Sequence, residues 1–474
     1  MTKEKELAKN TIIIVIGKVC TQFISFFLLP LYTSYLNTAD YGNVDLINTY
    51  INLLIPIVTL QLENAIFRFL IDSRNNEKQK SIIITNVFKN LIIHSAIYLA
   101  LFLVINRFIN LDYKYFLVCN VIICMFSSIC LQIARGIGKT KIYTNGSMIT
   151  GITAVILNVI LIVILKMNAS GILISNLIAN IICFIYLFFK LKLYKYLKIN
   201  TRRDKKILKE MYRYSLPLIP NSISWWVVNV SDRTIISTIL GLSFNGIYSI
   251  ANKFSNIYIL SYNLFNLSWT ESVSLHINDE DSKDFLTKMI NRMFLLFSTI
   301  CILIISVLPL VFDIFIKGEY DSAYNYMPIL LIASLFNVVV GLYSAIYVAK
   351  KETKQLAKSS VFVALLNIII NIVFIKKIGL YAAAISTLVA YFVMMIIRYI
   401  DIKKYINIKL KFINILYIII GVLISLIAYY SENIYIIVIN LILVSIFSII
   451  INKKILIEIV ENIKLKITPI KGRK

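Results

Sequence analysis

The sequence predicts an all-α multipass membrane protein of about fourteen transmembrane helices, two six-helix halves in parallel repeat plus two C-terminal helices. Three observations lead there. The 474 residues are 59% hydrophobic and only 15% charged, with a mean hydropathy of +0.81. That composition excludes an ordinary soluble domain and excludes disorder. The apolar residues fall in runs of the ~20 residues that a helix needs to cross a bilayer. The charges collect between the runs, alternately many and few. Only helices or closed barrels satisfy their backbone in lipid, and runs this long mean helices.

The runs cover about 10–33, 43–66, 82–106, 114–134, 146–166 and 169–189, then 215–240, 245–269, 287–311, 325–349, 357–376 and 379–401, and finally 411–430 and 433–452. The expected organisation is an N-terminal six-helix half (1–189) and a basic cytoplasmic linker (190–213). A C-terminal six-helix half (214–401), two extra transmembrane helices (402–452) and a basic cytoplasmic tail (453–474) follow. The first run is too long for a cleavable signal peptide and has no small-residue cleavage site, so none is expected.

Lysine and arginine set the orientation. With the N-terminus cytoplasmic, segments on that side hold 38 of the 49 Lys and Arg, the outer loops hold 6, and Lys18, Arg68, Lys89, Arg233 and Lys253 lie within apolar runs. Both termini are therefore expected in the cytoplasm. The formal charge of +25 follows from topology and needs no nucleic acid. The segment 190–213 and the C-terminal tail are placed to touch anionic lipid headgroups.

The six cysteines all lie in apolar runs without a CxxC pair, and only His94 and His276 are present. Neither a metal site nor a disulfide framework is expected, and buried thiols act as small apolar residues. No paired-carboxylate motif, phosphate-binding glycine loop or serine elbow stands out, so no catalytic residue, cofactor or enzyme activity is expected. GIGKTK at 136–141 lacks the GxxxxGK[ST] spacing and reads as a turn.

The stretch 214–241 is the most informative. Pro217 and Pro220 suit the start of a helix, where backbone N–H groups lack partners anyway. Ser222, Trp226, Asn229, Arg233 and Ser237 follow at helical spacing and share one face. An arginine facing lipid costs on the order of 3 kcal/mol or more, so this face should look onto protein or a wet cavity. Other spans carry polar residues too. Lys18, Gln22 and Ser25 share a face of the first span. Gln61, Asn64 and Arg68 share one on the second, with Glu63 beside them. The eighth carries Asn252, Lys253, Asn256, Asn263 and Asn266. The candidate substrate-binding residues are Lys18, Gln22, Asn64, Arg68, Asn229, Arg233, Lys253 and Asn256, with Glu63 and Asp232 as ion-coupling or structural carboxylates. Each has a plainer reading. Arg68 and Lys89 can snorkel to the inner interface. Asp232 can bridge to Lys253, the asparagines can join helices, and Asp45 and Glu271 read as interfacial.

An internal repeat is faintly visible. LNTADYGNVDLIN (36–48) aligns with LGLSFNGIYSIAN (240–252) at an offset of 204, and Leu157-Asn158 then Gly171 aligns with Leu366-Asn367 then Gly379 at offsets of 209 and 208. Six spans separate the members of each pair, which is the arrangement of a parallel repeat.

The runs LNTADYG (36–42), LENAIFRF (62–69), SLPLIPN (215–221), SDRTIIS (231–237) and NGIYSIANK (245–253) resemble the oligosaccharide flippases of polysaccharide biosynthesis. These share a superfamily with the multidrug and toxin extrusion transporters and the peptidoglycan lipid flippases. The resemblance covers roughly 8–400. It implies a carrier in the cytoplasmic membrane that turns an oligosaccharide on undecaprenyl diphosphate from the cytoplasmic to the outer leaflet. Its expected partners are that substrate, membrane lipids and glycosyltransferases or a polymerase of the same pathway. The residues agree, since sugars suit amides and aromatic faces and a diphosphate suits lysine or arginine. Two alternatives remain: an organic-cation antiporter of the same superfamily, disfavoured by the excess of cationic over acidic residues in the spans, and a membrane polysaccharide polymerase, disfavoured by short outer loops.

Overall fold

The computed structural model describes residues 26–108, 111–197, 204–350, 352–406, 408–409 and 411–467, and among these the regular structure is helical with no strand. Among the described residues, ten helices are long and apolar enough to cross a membrane, eleven if one bent pair forms a single span. The protein is a multipass membrane protein. Two further helices, Leu218–Ile239 and Leu242–His276, have 22 and 35 residues, against the ~20 that span a bilayer. They carry so many polar residues that neither reaches the same hydropathy.

The chain divides into two compact units. The first holds residues 1–250 with 316–321 and 375–377. It begins with α1 (Leu29–Tyr35) and α2 (Thr38–Val58), whose first turn is capped by the Asn37 side chain accepting from the Asp40 N–H at 2.7 Å. α2 is followed by α3 (Leu62–Asp72), bent from it by 53°. The physical cause lies in residues 56–61. Pro56 inside α2 has no N–H to donate, and Leu60 and Gln61 adopt left-handed φ values of 51° and 58°. Thr59 and Gln61 are nonetheless buried. The freed groups find partners, the Thr59 hydroxyl on the Ile55 carbonyl at 2.8 Å and the Gln61 N–H on the Pro56 carbonyl at 3.1 Å. Non-helical backbone at membrane depth is tolerated where protein or a cavity covers it. The second apolar run, 43–66, was expected as one unbroken helix. It is two.

The long helices of this unit are α4 (Glu77–Ile105), α5 (Lys114–Gly136), α6 (Thr140–Asn158) and α7 (Asn168–Lys190). α5 packs on α3 and α7, and α6 packs along α7. The basic segment after α7 contains α8 (Leu193–Tyr196) and α9 (Lys205–Ser215), the latter capped by Asp204. α9 lies against α3, and α10 (Leu218–Ile239) against α2.

The second unit holds residues 251–315, 322–374 and 378–474. It takes most of α11 (Leu242–His276), then α12 (Ser282–Phe315), α13 (Met327–Ala349), α14 (Thr353–Ile378) and α15 (Leu380–Ile402), and ends in α16 (Phe412–Tyr429) and α17 (Ile434–Ile467). α13 packs along α15 through small buried residues, Ala333 and Ala345 on one helix and Ala382, Ala383, Ala384 and Ser386 on the other. Small residues let backbones approach, which matters in lipid because apolar burial gives no net drive between helices. α16 and α17 both pack on α12. Asn440 donates to the Ser306 hydroxyl at 2.9 Å, Ser306 donates to Ser425 at 3.2 Å, and Asn452 donates to Thr299 at 2.9 Å. Each such bond in a bilayer is worth about 0.6 kcal/mol. The opposite faces are exposed and apolar, with Ile419, Leu423 and Ile427 on α16 and Ile439, Ile446 and Ile450 on α17.

Candidate functional site

The polar face of α10 meets the broken α2–α3 pair. Ser222 accepts from the Gln61 amide at 2.6 Å, Trp226 donates its indole N–H to the Thr49 carbonyl at 3.0 Å, and Arg233 donates from Nε to Asp45 Oδ2 at 2.7 Å. All three α10 residues belong to the face read from helical spacing. Asn229 lies between them on the helix, its side chain outside the described residues. Ser237 turns back to the Arg233 carbonyl at 2.7 Å.

The ion pair is shielded: the Arg233 and Asp45 side chains are 13% and 17% exposed. The second Asp45 oxygen accepts from Ser249 at 2.7 Å. The carboxylate is thus held by α10 on one side and by the start of α11 on the other. Asp45, expected at the interface from its position near a helix end, sits inside the protein instead. Asp232 points elsewhere and accepts from the Tyr248 hydroxyl at 3.1 Å.

Around Asp45 the packing is reciprocal. Gly42 faces the Leu242 carbonyl, and Gly246 faces the Thr38 carbonyl. A Cβ on either glycine would run into the backbone of the other segment. Asn245 donates to the Gly42 carbonyl at 2.8 Å. Thr38 and Leu242, Gly42 and Gly246, and Asp45 and Ser249 are each 204 residues apart, the offset of the internal repeat. Residues matched by the repeat therefore touch each other, each glycine packing on the other's equivalent neighbour, as in an isologous contact.

The break between α2 and α3 supplies a second polar group. Asn64, exposed, donates to the Gln61 side chain, and Glu63 accepts from the Thr59 hydroxyl at 2.6 Å. Arg68 is 49% exposed and pairs with Asp72 one turn on. Lys18 and Gln22 lie outside the described residues. Lys253 is half-buried and Asn256 exposed, both on α11 in the second unit. The structure thus joins Arg233 and the Gln61–Asn64 group to one seam in the first unit, and it adds Asp45, Thr49 and Ser249. Glycines 204 residues apart were the available signal for that contact.

The second unit holds a buried arginine that sequence reading counted among the cytoplasmic charges. Arg398 is 4% exposed. It donates to the hydroxyls of Ser344, Ser359 and Ser360 and to the Val340 carbonyl. No His, Cys, Asp or Glu cluster of metal-binding kind occurs among the described residues.

With this geometry in hand, comparison with known proteins is informative. The family described as polysaccharide biosynthesis protein matches residues 7–270. The chain belongs to this family. No curated protein matches. Among solved structures, the inward-facing form of a multidrug resistance MATE family transporter of the MOP superfamily is similar at TM-score 0.69 and 14% identity, over 82% of this chain and 98% of that one. The lipid II flippase MurJ, in an inward closed conformation, is similar at TM-score 0.65 and 17% identity, over 94% and 98%. An outward-facing MATE structure is similar at TM-score 0.57 and 14% identity, over 85% and 96%. At these identities the likeness establishes the fold alone, one shared with these MATE and MurJ structures.

Proposed function

We propose that this protein is a flippase. It moves a lipid-linked oligosaccharide, carried on undecaprenyl diphosphate, from the cytoplasmic to the outer leaflet of the cytoplasmic membrane during surface polysaccharide synthesis. The mechanism is alternating access, and the observation that carries it is the shielded Arg233–Asp45 pair beside the Gly42–Gly246 contact. A carrier of this kind needs a contact that is tight in one state and open in the other. With both termini cytoplasmic, as the lysine and arginine distribution supports, this contact sits at the outer ends of α2, α10 and α11. When the contact opens, Asp45 releases Arg233, and the planar guanidinium can take two diphosphate oxygens in place of the carboxylate.

In this reading the two halves are a parallel repeat, with the Gly42–Gly246 contact on the axis that relates them. We assign Lys18, Gln22, Asn64, Arg68, Asn229, Lys253 and Asn256 to substrate binding alongside Arg233. Glu63 and Asp232 serve as coupling or structural carboxylates, and glycosyltransferases or a polymerase of the pathway deliver and consume the substrate. The MATE likeness keeps a drug antiporter as the second reading. One assay separates them. Proteoliposomes holding the purified protein should flip a fluorescent undecaprenyl-diphosphate oligosaccharide and should not drive efflux of a cationic dye. Dye efflux without lipid flipping would replace the proposal with the antiporter.

A further inference from the structure

The first unit contains a cavity of about 550 Å³ away from the α10 seam, lined by Lys78, Lys139, Lys192 and Lys195 with Ile82 and Leu191 among the apolar residues. Three membrane-spanning helices end there: α4 begins at Glu77, α6 begins at Thr140 and α7 ends at Lys190. The cavity therefore lies at the boundary between hydrocarbon and water, in segments assigned to the cytoplasmic side by charge.

The walls are fixed. Past α7 the chain reverses at Lys192, which adopts a left-handed φ of 54°. Leu191 and Leu193, on either side of it, are buried. The Tyr196 carbonyl then accepts from Ser81 and Thr85 of α4 at 2.7 and 2.8 Å, and the Tyr196 hydroxyl donates to Glu77 at 3.0 Å. Glu77, the carboxylate in the lining, is also bonded to Lys80 at 2.7 Å. The four lining lysines thus keep a surplus of positive charge, and none of their ammonium groups is in an ion pair among the described residues. Next to the cavity Phe189 and Tyr194 are 63% and 51% exposed, and aromatic side chains at this depth face lipid.

We infer that this cavity binds the phosphate headgroup of an anionic phospholipid, its four lysines around the phosphate and its acyl chains lying outward along Phe189 and Tyr194. Several converging cations on a partly apolar floor suit a group that is multiply charged at one end and greasy at the other. A soluble phosphate compound shares the headgroup chemistry but not the chains. The site is independent of the transport reading.

The full-length protein is purified in detergent and its retained lipids are counted by native mass spectrometry. Phosphatidylglycerol, cardiolipin or phosphatidylcholine is added, with and without excess inorganic pyrophosphate. The wild type should retain anionic lipid at least ~10-fold over phosphatidylcholine, through charge at a membrane surface. Lys192→Gln/Lys195→Gln and Lys78→Gln/Lys139→Gln should each lower that ratio several-fold. Lys205→Gln/Lys206→Gln on α9 removes the same number of charges nearby and should leave it unchanged. Equal unfolding temperatures in lipid-free detergent show that the variants are folded, and single substitutions replace any double variant that is not. Equal loss in the α9 variant would mean diffuse attraction and overturn the proposal. So would pyrophosphate binding that displaces the anionic lipid completely, because the ligand would then be a soluble phosphate.

Discussion

Among the described residues, the Arg233 and Arg398 side chains are both shielded from solvent, and they are held in opposite ways. Arg233 of the first unit is paired with a carboxylate, Asp45, brought to it by α2. Arg398 of the second unit has three serine hydroxyls and one backbone carbonyl. An ion pair is stable while both members stay together and costly when one is lost. A guanidinium caged by neutral acceptors keeps its charge but leaves nothing charged behind when removed. The difference separates a joint that can exchange partners from a fixture. An anionic ligand can substitute for Asp45. The serine cage is fixed differently, by groups of α13 and α14 that close on Arg398 of α15.

The largest expected effect tests that contrast directly. Arg233→Leu leaves the shielded Asp45 without its charge partner, and should cost about 3 kcal/mol, seen as loss of folded protein. Arg233→Leu combined with Asp45→Leu should recover most of the protein while surface polysaccharide export stays abolished. Recovery of both would make the pair structural only and remove Arg233 from the transport mechanism.

Glycine contacts sharpen the same comparison. Gly42 meets backbone of α11, whereas Gly341 in α13 meets the ring and hydroxyl of Tyr262. Backbone cannot step aside without moving a helix. Gly42→Ala should therefore cost about 1–3 kcal/mol, as overpacking does, and should shift the carrier towards states in which the contact is open. Gly341→Ala should cost less, because the Tyr262 side chain can rotate. Cysteine accessibility from the outer side would report the shift. Equal accessibility in both variants would argue against a moving contact at Gly42.

Arg398 should give the smallest stability effect. Ser344, Ser359 and Ser360 already donate their hydroxyl protons to the Val340 and Leu356 carbonyls. Arg398→Leu thus leaves no buried donor unpaired and should change stability by about 1 kcal/mol or less, with export retained. A loss as large as that of Arg233→Leu would show that buried charge itself, rather than its partner, decides the cost.

How much of this was legible in the sequence depends on the range of the interaction. The α10 face was readable because helical spacing is local, and three of its five residues do meet α2–α3. Asp45 was not, because its partner lies 188 residues away and only packing brings them together. Arg398 was counted with the basic residues that follow it because charge counting cannot see that serines from two other helices close over it. Pro56 was visible, but the left-handed turn at Leu60–Gln61 depends on buried groups that capture the freed backbone. The offset of 204 residues was visible in the sequence. That Gly42 and Gly246, at that offset, pack against each other's segments follows from the fold.

The last prediction concerns what drives the carrier, and it rests on the flippase reading. A diphosphate-linked substrate carries about two negative charges. Moving them out of a negative cytoplasm is downhill by ~2.3 kcal/mol per charge per 100 mV, roughly 4–5 kcal/mol in all. Arg233 alternating between Asp45 and the substrate needs no co-transported ion. The competing carriers of an ion are Glu63 and Asp232, and both have hydroxyl donors, Thr59 at 2.6 Å and Tyr248 at 3.1 Å. In proteoliposomes under a potassium diffusion potential, without proton or sodium gradients, flipping should follow the sign of the potential. Glu63→Gln and Asp232→Asn should lower its rate without changing that dependence. Flipping that ignores the potential, follows an imposed proton or sodium gradient and loses that response in either variant would make the carboxylate the coupling site, and the swap at Arg233 would then be a consequence of ion binding rather than the driving step.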